Sequence, residues 1–203
     1  MAGGGRGIFV SIRIAAGIER VWELTQDPAQ HTRWDSRFSR IEPLGDLDGG
    51  GYRFRYERAL PGHVIHGVGT SIGEVQRPDG SRTSALKFDT ADRWSPLRAG
   101  RGYWRYVPDG DGTVFTTGYD YAPGWGRLAD AVIRPLVGWL TAWSFDRLRI
   151  WAETGVEPER WPLRSVLALW RRDRPRASRC TRRPPARDVF AAAPATLDDL
   201  EAP

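Results

Sequence analysis

The chain has 203 residues, a single cysteine and a net charge of +5 at pH 7. This length fits one domain plus a terminal extension, and a domain of about 150 residues buries enough surface to fold without disulfides. Because Cys180 has no disulfide partner, we expect a reducing, cytoplasmic location. Residues 1–7 lack the apolar core of a signal peptide, and the longest apolar run, residues 136–145, is too short to span a membrane.

The positive charge is concentrated near the C-terminus. Residues 1–160 contain 21 basic and 20 acidic side chains, whereas residues 161–203 contain 9 basic and 5 acidic ones. The main part of the chain is therefore almost neutral, and we expect no specific nucleic-acid-binding face on it.

The first three quarters of the chain predict mostly strands. Residues 9–14 alternate in polarity, residues 18–25 have helical spacing, and Asp27-Pro28 is typical of the start of a second short helix. Further strand-like runs are separated by turns rich in Gly, Pro and Asp, and such short turns join antiparallel neighbours. These runs are residues 38–44, 52–58, 63–76, 84–90, 102–107 and 113–121.

A long amphipathic helix is predicted for residues 135–153, with Pro135 in its first turn and a separate short helical lid at residues 125–133. Its apolar side contains Val137, Leu140, Thr141, Ser144, Leu148 and Trp151, and its polar side contains Asp146, Arg149 and Glu153. This order of elements predicts an α+β fold in which a curved antiparallel sheet wraps around one helix. A space should remain between the two.

The end of the chain differs in composition. We predict a domain over residues 8–157 and an arginine- and proline-rich C-terminal extension over residues 158–203, largely disordered, with a short helix at residues 162–172. Three interpretations of its arginines stay open. They could contact an anionic membrane surface weakly, touch nucleic acid non-specifically, or simply be solvated.

Two segments together with the closing helix resemble the START-like, or SRPBCC, superfamily, which includes polyketide cyclase/dehydrase-like proteins and lipid-transfer domains. They are RIAAGIERVWELTQDPAQHTRWD at residues 13–35 and DGTVFTTGYDYAPGWGRLAD at residues 111–130. The resemblance covers residues 8–153. It implies a helix-grip fold: a seven-stranded curved antiparallel sheet around the C-terminal helix, two short helices between strands 1 and 2, and an apolar cavity. The chain departs from the usual pattern at Ala16-Gly17, where Ala-Pro is common, and in its extension.

Aromatic residues are the candidate cavity wall. The chain has ten tryptophans, six tyrosines and seven phenylalanines, many for one small core. Rings two residues apart share a strand face, although the sequence does not say which face points inward. Ordinary core packing is the alternative for each ring. The candidates are Tyr52, Phe54, Tyr56, Phe88, Trp104, Tyr106, Tyr119, Tyr121 and Trp143.

Three polar residues are candidates for a direct role in ligand binding or catalysis. Arg147, four residues from both Trp143 and Trp151, could stack on a ring and bind a ligand carbonyl or carboxylate; the alternative is a surface-covering arginine. Asp120 and His66 could move a proton, but both are more typical of surface positions. We expect His31 to point outward from its short helix.

Metal and nucleotide chemistry are not expected. His63 and His66 are three apart on a strand and so face opposite sides, and no cysteine or third histidine supports a metal site beside them. Residues 67–73, GVGTSIG, lack the spacing of a dinucleotide-binding loop. We therefore predict no cofactor.

The sequence favours a protein that encloses a small apolar or amphipathic ligand, such as a lipid, polyketide or aromatic metabolite, in the space between sheet and helix. The alternative in the same space is a cofactor-independent cyclase or dehydratase. A third hypothesis is an adaptor that acts through its extension. The oligomeric state stays open.

Overall fold

A computed structural model describes residues 7–48, 50–73 and 76–203 of the protein. The main elements are β1 (Ile8–Ile14), α1 (Ile18–Gln26), α2 (Pro28–Trp34), β2 (Arg40–Asp46), β3 (Tyr52–Leu60), β4 (His63–Gly73), β5 (Arg82–Asp89), β6 (Leu97–Asp109), β7 (Gly112–Pro123) and α3 (Gly126–Thr154). The predicted residues 74 and 75 of the fourth strand lie outside the described residues, as does most of the glycine-rich N-terminus.

The sheet has seven strands in the order β1-β7-β6-β5-β4-β3-β2, and every neighbouring pair is antiparallel. Strands β1 and β2 form its two edges, and the helices α1 and α2 carry the chain from one edge to the other. The prediction of a helix-grip fold is confirmed.

Helix α3 is longer than predicted. It runs through Pro135 without a break, so the separate lid predicted for residues 125–133 is instead its N-terminal part. Proline removes one backbone hydrogen bond, here the one to the carbonyl of Ala131. Both residues are exposed on the solvent side of the helix, where water can satisfy that carbonyl. The helix ends where Gly155, at φ 72°, donates its N–H to the Trp151 carbonyl.

The core fills one half of the space between sheet and helices. The rings of Phe115 on β7 and Phe145 on α3 stack with their centroids 4.5 Å apart, and Trp34 and Tyr106 close around them. All four side chains are buried. This packing fixes α3 against β1 and β7 and leaves the strands β3, β4 and β5 farther from the helix.

The C-terminal extension packs on the domain, in contrast to the predicted disorder. Thr181 forms an antiparallel bridge with Ser11 of the edge strand β1 through two hydrogen bonds of 2.9 Å. On the outer face of the sheet, the Val189 carbonyl accepts a hydrogen bond from the Tyr103 hydroxyl. Leu197 and Leu200 bury against Ala85. These contacts cover outward-facing apolar groups of the sheet, which is why a segment of disordered composition is ordered here.

The secondary structure of the extension is sparse. In place of the helix predicted for residues 162–172, there is a five-residue 3-10 helix, Leu163–Leu167. Other short 3-10 helices follow, and the last helix, Thr196–Asp199, has four residues. Order therefore comes from tertiary contact, since a proline-rich segment has little helix propensity of its own.

The extension also buries the predicted polar side of α3. Asp146 has no exposed surface and accepts hydrogen bonds from the Arg149 side chain at 2.7 Å, the backbone N–H of Arg176 at 2.7 Å and the Arg179 side chain at 2.8 Å. Within the described residues, no helix combines the length and the apolar character needed to cross a bilayer.

Candidate functional site

A cavity of about 350 Å³ lies between the sheet and the helices α2 and α3. Most of its lining is apolar. The lining residues are Thr25, Gln26, His31, Arg37, Phe38, Ile41, Tyr52, Phe54, Tyr56, Arg58, Leu60, Ile65, Ser71, Ser84, Leu86, Phe88, Trp94, Ser95, Pro96, Leu97, Trp104, Thr117, Tyr119, Trp125, Val137 and Leu140.

The strand alternation places every second residue of β3 in this wall. Tyr52, Phe54 and Tyr56 all line the cavity, and Arg58 continues the row towards its mouth. Phe88 lines it from β5 in the same way. The sequence did not say which face of β3 points inward, and the structure shows that it is the face with the aromatic side chains.

Glycines on neighbouring strands make room for these rings. Tyr56 is paired with Gly67, and Phe54 with Gly69, across β3 and β4. A Cβ atom at Gly67 would lie 2.2 Å from the Tyr56 ring, and one at Gly69 would lie 2.3 Å from the Phe54 ring. The rings therefore lie across the sheet over bare backbone, and the volume above them stays open as cavity.

One wall carries a buried ion pair. The Asp35 carboxylate is fully buried and accepts hydrogen bonds from Arg37 Nε at 2.9 Å and Arg37 Nη2 at 2.6 Å. His31 Nε2 lies 3.1 Å from the same carboxylate. The His31 ring is held among Trp34, Phe38 and Trp104. His31 and Arg37 both line the cavity, so this ion pair faces the enclosed space.

The charges of this pair are fixed. Burial alone would raise the pKa of Asp35, but the Arg37 guanidinium and the His31 hydrogen bond outweigh it and hold the pKa well below its usual range. Burial alone would lower the pKa of Arg37, and Asp35 reverses this, so the guanidinium stays charged. The pair is therefore ionised at neutral pH.

Tyr119 adds a neutral polar group next to the pair. Its ring centroid is 5.3 Å from the Arg37 guanidinium, and its hydroxyl is 2.8 Å from the Thr141 hydroxyl. Burial raises the pKa of Tyr119, although Arg37 opposes the shift, so the phenol keeps its proton at neutral pH. The wall thus combines a cation, a histidine and a phenol.

The cavity mouth is bordered by exposed rings. Trp94 and Trp125 line the cavity while being 54% and 49% exposed. The Trp125 indole N–H donates to the Arg93 carbonyl at 3.2 Å, which ties the start of α3 to the loop before β6. Leu60 at the end of β3 is also exposed and lines the cavity. An apolar ligand would meet these side chains on entry.

Six of the sequence-predicted wall residues line the cavity: Tyr52, Phe54, Tyr56, Phe88, Trp104 and Tyr119. The other three rings lie elsewhere. Tyr106 is buried in the core with its hydroxyl on Thr25, and Trp143 is buried on α3. Tyr121 is buried too, with Arg134 over its ring at 4.2 Å. Arg147 also does not face the cavity.

Arg147 caps the C-terminal end of α2. Its guanidinium donates to the backbone carbonyls of Arg33 at 3.0 Å, Trp34 at 3.1 Å and Pro158 at 2.8 Å, and to the Ser36 hydroxyl at 2.7 Å. Burial lowers its pKa to about 10, against the attraction of Asp35 and Glu159. Of the two tryptophans four residues away, the Arg147 guanidinium lies over Trp143, 5.0 Å from the ring centroid. However, its donors satisfy helix-end carbonyls instead of facing a ligand.

The two predicted proton-transfer candidates also lie away from the cavity lining. Asp120 is bound by Arg134 at 2.5 Å, and His66 is exposed with Nδ1 3.5 Å from the Glu57 carboxylate. Within the described ranges, no group of three or more His, Cys, Asp or Glu side chains is arranged to hold a metal ion.

His31, Asp35 and Arg37 are the site residues that the sequence analysis missed. The expectation that His31 points outward is wrong, because it is 9% exposed and lines the cavity. One signal was available: His31 and Asp35 are four residues apart at the end of a short helix, a spacing that brings two side chains together.

Comparisons with known proteins agree with this fold. Residues 8–153 match the family described as polyketide cyclase / dehydrase and lipid transport. The uncharacterized membrane protein YndG of Bacillus subtilis (strain 168) is 36% identical over 166 residues, which cover 79% of this chain and 62% of that protein. The chain thus spans less than two thirds of this relative's length.

Two crystal structures show the same architecture. The Zhui aromatase/cyclase from Streptomyces sp. R1128 is 15% identical, with a TM-score of 0.52, over 74% of this chain and 98% of that one. The STAR-related lipid transfer protein from Xanthomonas axonopodis is 20% identical, with a TM-score of 0.51, over 73% and 94%. At these identities the likeness shows the fold alone. With its residues 8–153 matched, the chain belongs to the polyketide cyclase/dehydrase and lipid transport family.

Proposed function

We propose that the protein binds a small amphipathic ligand, with its apolar body against the aromatic wall and its polar end at Arg37 and His31. The observation that carries this proposal is the buried Asp35–Arg37 pair in the wall of an otherwise apolar cavity. Family membership and the cavity volume of about 350 Å³ support it, since ligand sites commonly enclose about 300–1,000 Å³.

The arrangement favours a ligand with an oxygen-rich or anionic end. Asp35 engages Nε and Nη2 of Arg37 and the Tyr119 hydroxyl also interacts with the guanidinium, but a guanidinium has five N–H donors, so donors remain for a ligand oxygen. Arg147 adds a second positive charge close enough to interact with Asp35. Arg147 interacts with Glu159 as well as with Asp35, so the preference for a carboxylate or carbonyl group at this wall comes from the remaining donors of Arg37.

A matched pair of probes tests this assignment. We expect a long-chain fatty acid to displace an apolar fluorescent dye from the full chain more tightly than the alcohol of the same length. Arg37→Lys should remove most of this preference, because a lysine cannot reproduce the planar fork of donors. Leu86→Trp should weaken both probes by filling the cavity that Leu86 lines.

The exposed Arg183 provides the control, since Arg183→Lys should leave both affinities unchanged. If the unmodified protein bound the acid and the alcohol with equal affinity, Arg37 and His31 would be excluded as the binding site of the ligand's polar end. Failure of every apolar probe to bind, together with no ligand released from purified protein in native mass spectrometry, would exclude ligand binding itself.

Catalysis in the same cavity is the second candidate function, as a cyclase or dehydratase acting on a polyketide-like substrate. The observation that favours it is the His31–Asp35 pair, in which a carboxylate orients an imidazole beside an enclosed cavity. A linear poly-β-ketone thioester is the test substrate. His31→Gln should abolish turnover while retaining binding; if unmodified protein leaves the thioester unchanged, this candidate fails.

A cytoplasmic location stays a prediction from the single unpaired cysteine. The Bacillus subtilis relative is called an uncharacterized membrane protein, and a membrane-associated location is the competing proposal. Fractionation of cells that produce the protein at its native level would separate the two, because only a membrane-bound population sediments with the lipid.

A further inference from the structure

The C-terminal extension contains a short turn with unusually exposed apolar side chains. Leu163, Leu167, Leu169 and Trp170 are 48%, 77%, 71% and 80% exposed, and we call these four residues the leucine turn. Single exposed apolar residues are common, but four within eight positions concentrate exposed apolar surface in one short segment, as is typical of an interaction site.

The base of the turn is anchored to the domain. Trp161 is 2% exposed and lies under the guanidinium groups of Arg160 and Arg171, at 5.7 and 4.7 Å from its ring. Val166, in the middle of the turn, packs against the main core. The Ser165 N–H donates to the Pro162 carbonyl at 2.8 Å. The chain is therefore held with Trp161 and Val166 inward and the leucine turn outward.

Positive charge surrounds the leucine turn. Arg160, Arg164 and Arg172 are exposed beside it, and Arg171 is half-buried. Between residues 160 and 187 the one acidic residue is Asp173, and it is already paired with Arg171 at 2.8 Å. The surface thus combines apolar side chains at its centre with a cationic rim.

We propose that the leucine turn docks on the surface of an anionic lipid bilayer. Leucine and tryptophan side chains enter the boundary between headgroups and acyl chains, and the arginines contact lipid phosphates. A second copy of the chain fits poorly, because the two arginine rims would repel each other. The leucine turn, within residues 163–170, is also small for a protein interface, which usually buries about 800 Å² on each partner.

Co-sedimentation of the full chain with vesicles tests the proposal. We expect binding to vesicles of phosphatidylcholine mixed with phosphatidylglycerol, weakening as salt is added, and little binding to phosphatidylcholine alone. The double variant Leu167→Asp/Trp170→Asp should bind at least about tenfold more weakly, because it places charges at the apolar centre. Arg164→Glu/Arg172→Glu should have an effect of similar size through the rim.

Leu128→Asp is the matched control, since Leu128 is 92% exposed on α3, outside the leucine turn. It should bind vesicles like the unmodified protein, and all variants should unfold at the same urea concentration because the changed residues are exposed. Loss of binding in Leu128→Asp but not in the turn variants would move the contact to α3 and overturn the proposal. Equal binding to neutral vesicles, or a dimer in size-exclusion chromatography that Trp170→Asp dissociates, would also overturn it.

Discussion

Phe54 on β3 lies directly across from Gly69 on β4, and its ring covers the position that a side chain at Gly69 would occupy. The same relationship joins Tyr56 to Gly67. Glycine is needed at both positions for contact and not for backbone conformation, because a Cβ would collide with the ring. The cavity exists partly because these rings lie flat against the sheet.

Gly69→Ala should therefore reduce the volume of the cavity. An alanine Cβ would lie 2.3 Å from the Phe54 ring, so the ring must move into the open space above it. We expect a free energy of unfolding lower by roughly 1–3 kcal/mol, as for other overpacked sites, and weaker binding of apolar probes. Urea denaturation and dye displacement measure the two effects.

Gly17→Ala is the control for this substitution. A Cβ at Gly17 meets no atom within 4 Å, and its φ of −62° suits any residue. Its probe affinity should match that of the unmodified protein, and its stability should fall by no more than about 1 kcal/mol, because Gly17 is the N-cap of α1, where alanine is less favourable. Unchanged probe binding in Gly69→Ala would show that the ring position does not limit the cavity.

Asp35→Asn should remove a pH-dependent part of the stability. The folded-state pKa of Asp35 lies below its ordinary value, so its stabilisation is present above about pH 4 and is lost as pH falls towards the folded-state pKa. We expect the variant to be about 3 kcal/mol less stable at pH 7, because Arg37 loses its buried partner.

The difference between the two proteins should narrow below about pH 4, where Asp35 gains its proton in the unfolded state while the folded state still keeps it ionised. Urea unfolding at a series of pH values measures this. Asp111→Asn, at an exposed carboxylate in the turn before β7, is the control and should change stability little. A stability difference that is constant down to the acid limit would contradict the ionised pair.

Removal of residues 174–203 should destabilise the domain. The deletion takes away the buried side chains of Val189, Leu197 and Leu200 and the Arg179 partner of Asp146. Since each buried aliphatic side chain contributes about 1.5–3 kcal/mol, we expect a loss of at least about 4 kcal/mol in the free energy of unfolding. A truncated chain that is as stable as the full chain would mean that the extension does not pack as described.

Cys180 offers a direct probe of the same packing. Its thiol lies 3.2 Å from the Ala142 carbonyl, and burial, aided by Asp146, raises its pKa to about 12. The reactive thiolate is therefore scarce at pH 8, and an alkylating reagent should label the folded protein far more slowly than the urea-unfolded protein. Arg179→Ala should accelerate labelling by loosening the extension, whereas Arg183→Ala should not. Rapid labelling of the unmodified folded chain would contradict this burial.

The fold was largely predictable because its signals are local. Alternation over β3 identified Tyr52, Phe54 and Tyr56 as one face, and the turns between strands required antiparallel neighbours. The interruption at Pro135 was misjudged, because proline rules alone do not say whether the freed carbonyl can reach water.

The candidate site was only partly predictable. Arg37 precedes Phe38 in the sequence and Arg147 follows Phe145 by two residues, yet Arg147 binds the end of a helix and Arg37 lines the cavity. Whether an arginine faces the cavity depends on how far its helix or loop lies from the sheet. No local pattern encodes that distance.

The sequence by itself determined the order of the elements, the antiparallel pairing and which residues share a face of each strand, since periodicity and turn chemistry act over a few residues. Only the tertiary structure decided where the layers separate into a cavity, that Asp35 and Arg37 meet there, and that the extension covers Asp146. These features join residues that are far apart in the chain or depend on how whole elements pack. Their energies depend on burial and on exact distance, which exist only once the chain has folded.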